Sequence, residues 1–321
     1  MRAALLMFLY ALAVAWYVPV PLARLTARGI SARLGLAAWL TAMASVLVSA
    51  MVALQFLVRA AITGWSRFAE VVCRSVAGGA CTPTVYRSAI FELSLGMAAT
   101  VAALAVTVLA WRYGRGLQRA QRRTRAHAEV ARVTGRELPG AGSAVVLDAP
   151  QPVAYCVPGR PATIVLTSGA LAVLDPAQLT AVLAHERAHL AGRHHLLVAL
   201  TRGLAVSFPA VPLFMRGSAE VARLAEMCAD DAAARHSGRR TLIAALLAMG
   251  TGTAVPATAL AATAGATAAR VQRLLEPPRR ACHARYVLAL ITVTLLLALA
   301  SGLIATFAGL LAAHSLLAQL G

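Results

Sequence analysis

At 321 residues the chain has room for one or two domains. Its 60% hydrophobic and 13% charged content exclude an average soluble protein and point to a membrane. The net charge of +18 comes from arginine alone, since the sequence has no lysine. Most arginines flank apolar runs, which favours loops obeying the positive-inside rule over a nucleic-acid partner.

Apolar runs at about 3–22, 35–58, 90–111 and 286–309 predict four membrane-spanning helices. Ala11-Leu-Ala13 and Ala13-Val-Ala15 resemble signal-peptide cleavage sites. Arg2 is the only preceding charge, however, and a retained helix is the preferred reading. The segment 21–34 carries Arg24, Arg28 and Arg33 with no acid, and 112–136 carries eight arginines against Glu129. Both are expected in the cytoplasm, with the 59–89 loop outside. The expected layout has three spanning helices with short loops in 1–111, a cytoplasmic domain at 112–282 and a fourth span in 283–321. Five scattered cysteines exclude a disulfide scaffold. Cys73 and Cys81 are close enough to pair in an extracytoplasmic loop; Cys156, Cys228 and Cys282 are expected to be free thiols.

Within the domain, Ala144–Leu147, Pro152–Cys156 and Ala162–Thr167 are β-prone and separated by turn formers. They predict a small antiparallel sheet or hairpin. Asp175-Pro176 then opens a helix, aspartate at the N-cap and proline at the first helical position. A second helix is expected over Ala219–Arg235. An Ala/Thr-rich stretch at 241–274 ends at Pro277-Pro278.

The first of these helices carries Leu183-Ala-His-Glu-Arg-Ala-His-Leu-Ala-Gly-Arg-His-His195. His185 and His189 are one turn apart on one face, and two imidazoles at that spacing can share a tetrahedral zinc with a position left for water. Such a metal lowers the water's pKa towards ~7, and Glu186 is placed to take its proton. Residues 185–195 also fit H-E-x-x-H-x-x-G-x-x-H, which would make His195 the third ligand. On an unbroken helix His195 lies about 9 Å beyond His189 along the axis, and only a sharp turn at Gly192 would bring it back. The rival is Glu226, which shares a helical face with Asp230. This pair supplies a zinc oxygen and a carboxylate for a ligand imidazole N–H, so Glu226 is favoured. Partners for Arg223 and Arg235 are the bland alternative for these two acids. Arg187 is an unusual charge inside such a motif and is expected to face water. Residues 196–215 are apolar, but a single crossing there would part Glu226 from His185. They are therefore expected to be buried, re-entrant or surface-lying.

The runs Ala162–Leu171 and Leu179–His189, the E-x-x-x-D at 226–230 and Ala269–Leu275 resemble membrane-embedded gluzincin peptidases. These are metallopeptidase families forty-eight, the HtpX/CAAX-protease type, and fifty-six, the BlaR/MecR antirepressor type. Three spans before the domain and one after it look more like the antirepressor type. The resemblance implies His185, His189 and Glu226 as ligands of one zinc ion, Glu186 as base and Asp230 as the group that orients a ligand histidine. It implies an edge strand at 152–156, including Ala154 and Tyr155, that pairs with an extended peptide. With the sequence ending at Gly321, no sensor domain is expected after the last span, and β-lactam sensing is not carried over.

The expected fold is thus an α-helical integral membrane protein with a cytoplasmic α+β zincin-like (gluzincin) peptidase domain. The expected function is zinc-dependent cleavage of protein substrates at the bacterial plasma membrane. A transcriptional repressor is one candidate substrate, membrane-protein quality control the other role, and direct nucleic-acid binding is not expected. Arg235 and His236 are candidate donors to the oxyanion. The alternatives are a non-catalytic zinc-binding membrane regulator, which would have no use for Glu186, and a secreted-side metzincin, which the arginine load disfavours.

Overall fold

The computed structural model describes residues 2–27, 31–76, 83–159, 161–251, 267–276 and 285–300, with positions 302, 303, 306 and 310. The chain begins with α1 (Arg2–Tyr17) and α2 (Pro19–Thr26). Where one span over 3–22 was expected, α1 and α2 meet at a 43° bend, and Pro19 begins the new helix. Two long helices follow, α3 (Ala32–Val76) and α4 (Pro83–Thr134). Among the described residues, Ala32–Arg59 and Gly96–Thr134 are long and apolar enough to cross a membrane, and the bent pair makes up to three.

The expected 59–89 loop is largely helix, and so is the arginine-rich start of the expected domain. The 59–89 segment is helical to Val76 and again from Pro83, and the arginine-rich 112–136 segment continues α4 to Thr134. Arginine is a good helix former, so a charge pattern that reports membrane sidedness says nothing against helix. Cys73 is exposed on α3 and has no disulfide partner among the described residues. Cys81 and Cys282 lie outside the described residues.

A four-stranded sheet comes next, from β1 (Arg136–Glu137), β2 (Ala144–Leu147), β3 (Ala154–Val157) and β4 (Thr163–Thr167), in the order β1-β2-β4-β3. It is mixed rather than antiparallel. β4 inserts between β2 and β3, parallel to the first and antiparallel to the second. All of β4 is buried because both its faces are covered. Ile164 and Leu166 face one way with Val182 and Leu183, whereas Val165 faces the other way with Ala128 and Ala131 of α4. The same alternation turns Ala154 and Cys156 of β3 to the first side and Tyr155 and Val157 to the second.

The remaining helices are α5 (Ser168–Val173), α6 (Pro176–Ala191), α7 (His194–Ser207), α8 (Pro212–Ser237) and α9 (Arg239–Thr251), followed by α10 (267–275) and α11 (Arg285–Ala300). Asp175 caps α6 through a reciprocal box with Gln178, and Pro176 opens it. The apolar stretch 196–215 makes α7, a turn at Phe208–Val211 and the start of α8, which returns alongside α7. This hairpin shares a core with the N-terminal helices: Leu204, Leu213 and Phe214 join Ala11, Trp39, Met43 and Val46. Leu290 and Leu297 of α11 belong to the same cluster. A polar seam adds to it. Trp39 Nε1 donates to Thr26 Oγ1, Thr26 donates to Glu220, and Arg223 pairs with Glu220 at 2.6 Å. Helix α8 is thus pinned at its first half by the apolar bundle, and its second half is carried back to α6.

Candidate metal centre

Helices α6 and α8 bring the predicted ligands together. His185 and His189 stand one turn apart on α6, with Nε2 atoms 3.1 Å apart. Glu226 of α8 places Oε2 3.5 Å from His185 Nε2 and Oε1 3.4 Å from His189 Nε2. A tetrahedral zinc with ligand bonds near 2.0–2.1 Å needs ligand atoms about 3.3 Å apart. Two nitrogens and one carboxylate at these spacings fit that ion.

Asp230, one turn after Glu226, is fully buried and lies 3.2 Å from His185 Nδ1. The contact is close enough for an ion pair but is not aligned as a hydrogen bond. Neither acid is taken by the arginines weighed as their partners: Arg223 pairs with Glu220, and Arg235 is exposed. The partner is Arg270 on α10. Its Nη2 and Nε hold the two Asp230 oxygens at 2.6 and 2.8 Å, and Nη1 reaches Glu226 Oε2 at 3.2 Å. Arg273 pairs with Asp231 at 2.9 Å, so α10 is tied to α8 through two adjacent acids.

These charges set the protonation pattern. Burial pulls His185 down, but Asp230 and then Glu226 outweigh it and hold the ring at about 9. Burial also pushes Asp230 up, and Arg270 and then His185 bring it down to about 2. His189 is lowered by burial to about 4 and is neutral. The two rings are thus pushed in opposite directions, His185 toward the charged form and His189 toward the neutral one.

Glu186, next to His185, is 8% exposed, and burial raises its pKa. The Cys156 thiol donates a hydrogen bond to it from β3. That thiol is itself pushed up to about 12, first by burial and then by the Glu186 charge. Ala154, Tyr155, Cys156, His185, Glu186, His189, Glu226 and Arg270 line one cleft of about 850 Å³. Tyr155 Oη also meets His127 Nε2 of α4 at 2.8 Å.

The other sequence candidates fall elsewhere. Arg235 and His236 are exposed on the last turn of α8 and do not line this cleft. The helix bearing the motif is broken, contrary to the unbroken reading: Gly192 caps α6, and Arg193 turns the chain with φ +49°. His195 nevertheless faces a different cleft, beside Arg125, Arg132 and Arg193. His194, which sequence reasoning reads with His195 only as marking the helix end, is the histidine that folds inward. Arg270 lies in the Ala269–Leu275 run that carries the resemblance, with no role assigned to it there. Arg187 donates to the Ala141 carbonyl at 3.1 Å rather than facing only water.

Residues 117–278, half of the chain, match the family model described as Peptidase family M48. The chain belongs to that family. M48 peptidases are zinc metallopeptidases, which agrees with the His185–His189–Glu226 group. The match is to the HtpX-like family and does not extend to the antirepressor type. No curated protein and no solved structure matches the chain. Within the M48 match lie the sheet, α6, α8 and α10, the four pieces that build the site.

Proposed function

We propose that this M48 metallopeptidase is a multi-pass membrane zinc endopeptidase whose site faces the cytoplasm. The observation that carries the catalytic reading is Glu186, buried beside three convergent ligands in a cleft bordered by an edge strand. A zinc ion held there would supply Lewis acidity toward water and a peptide carbonyl. His185, His189 and Glu226 are the residues that would hold it. Glu186 accepts a proton from the attacking water and returns it to the leaving amine, and its raised pKa suits both halves of that task. Arg270 keeps Asp230 ionised against His185 and turns a cationic edge toward the cleft. It replaces Arg235 and His236 as the favoured donor to the oxyanion.

The outer edge of β3 has no strand partner among the described residues, and Ala154 and Tyr155 lie along the cleft. An extended segment of a protein substrate pairs there through its backbone. The apolar helices support the membrane reading, and arginines flanking them support the cytoplasmic side. The apolar runs, three before the domain and one after, favour repressor cleavage; membership of the M48 family favours membrane-protein quality control. A non-catalytic regulator would have no reason to bury Glu186 beside a metal site.

The test compares zinc content and proteolysis, including self-cleavage, in purified wild type, Glu186→Gln and Glu226→Ala. Glu186→Gln keeps its zinc and loses activity; Glu226→Ala loses both. Activity in Glu186→Gln, or full zinc and activity in Glu226→Ala, overturns the assignment.

A further inference from the structure

The two histidine ligands are supported differently at Nδ1. His185 has Asp230. His189 has another imidazole, with its Nδ1 3.0 Å from His194 Nδ1 and the ring planes at 90°. A nitrogen–nitrogen contact at this distance needs one N–H and one lone pair. His189 turns Nε2 toward His185 and Glu226, where a metal ligand must present a lone pair. A His189 bound to a metal through Nε2 would carry its proton on Nδ1, leaving His194 Nδ1 to accept it.

We propose that His194 is the positioning residue of the metal site: by accepting the His189 Nδ1–H it fixes the tautomer and the aim of that ligand. The backbone is arranged for this contact. Gly192 ends α6, and Arg193 sits in the left-handed region that L-residues avoid, so α7 restarts with His194 folded under the end of α6. His194 is 6% exposed. A Cβ at Gly192 would lie 2.3 Å from His194 Nε2, so glycine leaves the space that the ring fills. The neighbouring His195 stays outside, so the turn selects which of two adjacent histidines serves the site.

This inference rests on His185, His189 and Glu226 binding a metal, and its test reads the metal rather than turnover. The full-length chain in detergent is titrated with zinc against a chromogenic chelator, and the visible spectrum of its cobalt(II) form is recorded. His194→Leu keeps bulk and removes the acceptor; His194→Asn keeps an acceptor near the position of Nδ1. We expect His194→Leu to weaken zinc binding by about 10–100-fold and to shift the cobalt bands, and His194→Asn to restore most of both. Circular dichroism melts of the metal-free proteins check the fold. If His194→Leu does not fold, Gly192→Ala displaces the ring without removing it and should weaken binding in the same direction. Wild-type affinity and cobalt spectrum in His194→Leu or, where that variant does not fold, in Gly192→Ala overturn the proposal. So does an asparagine variant as weak as the leucine one, which would make the ring mere filler. A wild type that binds no zinc overturns the metal reading as well.

Discussion

Arg270 holds Asp230 with two prongs of its guanidinium, at 2.6 and 2.8 Å, and with a third nitrogen reaches Glu226 at 3.2 Å. The pair joins α10 to α8 directly beneath His185. Asp230 is fully buried, so removing the arginine leaves a carboxylate with only the His185 ring to compensate it. Breaking a buried pair from one side costs about 3–5 kcal/mol, and the partial exposure of Arg270 argues for the lower end. Arg270→Met should therefore lower the melting temperature of the metal-free protein sharply. Arg270→Met combined with Asp230→Asn should recover much of the loss. A double variant no more stable than Arg270→Met would mean the pair is not the source of the effect.

The pH dependence of metal binding follows from His185. Its folded pKa, about 9, lies above the unfolded value near 6.5. The imidazolium therefore stabilises the metal-free fold fully below pH 6.5, and the contribution is lost as pH rises to 9. Asp230 has the opposite sign: held at about 2, it stabilises above pH 4 and is lost below. Zinc must displace the His185 proton. Affinity should accordingly rise about tenfold per pH unit between about 7 and 9. Calorimetric titration at pH 7.5 in buffers of differing ionisation enthalpy should count about one proton released per zinc. Release of none would contradict a protonated His185.

Much of the site could be read from sequence because its signals are local. The Asp175-Pro176 start, the one-turn spacing of His185 and His189, and the shared face of Glu226 and Asp230 each depend on a few neighbouring residues. What escaped depends on the rest of the fold. Arg270 is one of thirty basic residues, and nothing in its spacing marks it as the partner of Asp230. The choice between His194 and His195 rests on a left-handed Arg193 that no residue preference announces. The order of the sheet was equally non-local, since β4 takes the place beside β2 that a hairpin would have given to β3. The arginines of 112–134 likewise gave no sign that the helix begun at Pro83 continues to Thr134.

Two glycines should respond oppositely to alanine. A Cβ on Gly169 would meet the Pro150 carbonyl oxygen at 2.1 Å, a backbone atom that can yield only by moving the β2–β3 connection. Overpacking of that kind costs about 1–3 kcal/mol. Gly116, inside α4, has open space around it, so Gly116→Ala should be neutral or stabilising by roughly 0.5–1 kcal/mol. Thermal melts of both variants check the pair, and a Gly169→Ala protein as stable as wild type would show that the connection moves freely.

Cys156 offers a way to read Glu186 during turnover. Its thiol hydrogen bond lowers the pKa of Glu186, against the burial that raises it. Cys156→Val removes the donor and keeps the site apolar, so the Glu186 pKa must rise. Glu186 works as a base only when ionised, so the acid limb of the kcat/KM profile should move to higher pH. The zinc affinity should stay near that of wild type, because the side-chain hydrogen bond of Cys156 goes to Glu186 rather than to His185, His189 or Glu226. Cys156→Ser keeps a donor at the same position and should leave the limb close to its original place. If valine and serine shift the limb equally, the effect comes from altered packing of β3 against α6 and not from the hydrogen bond.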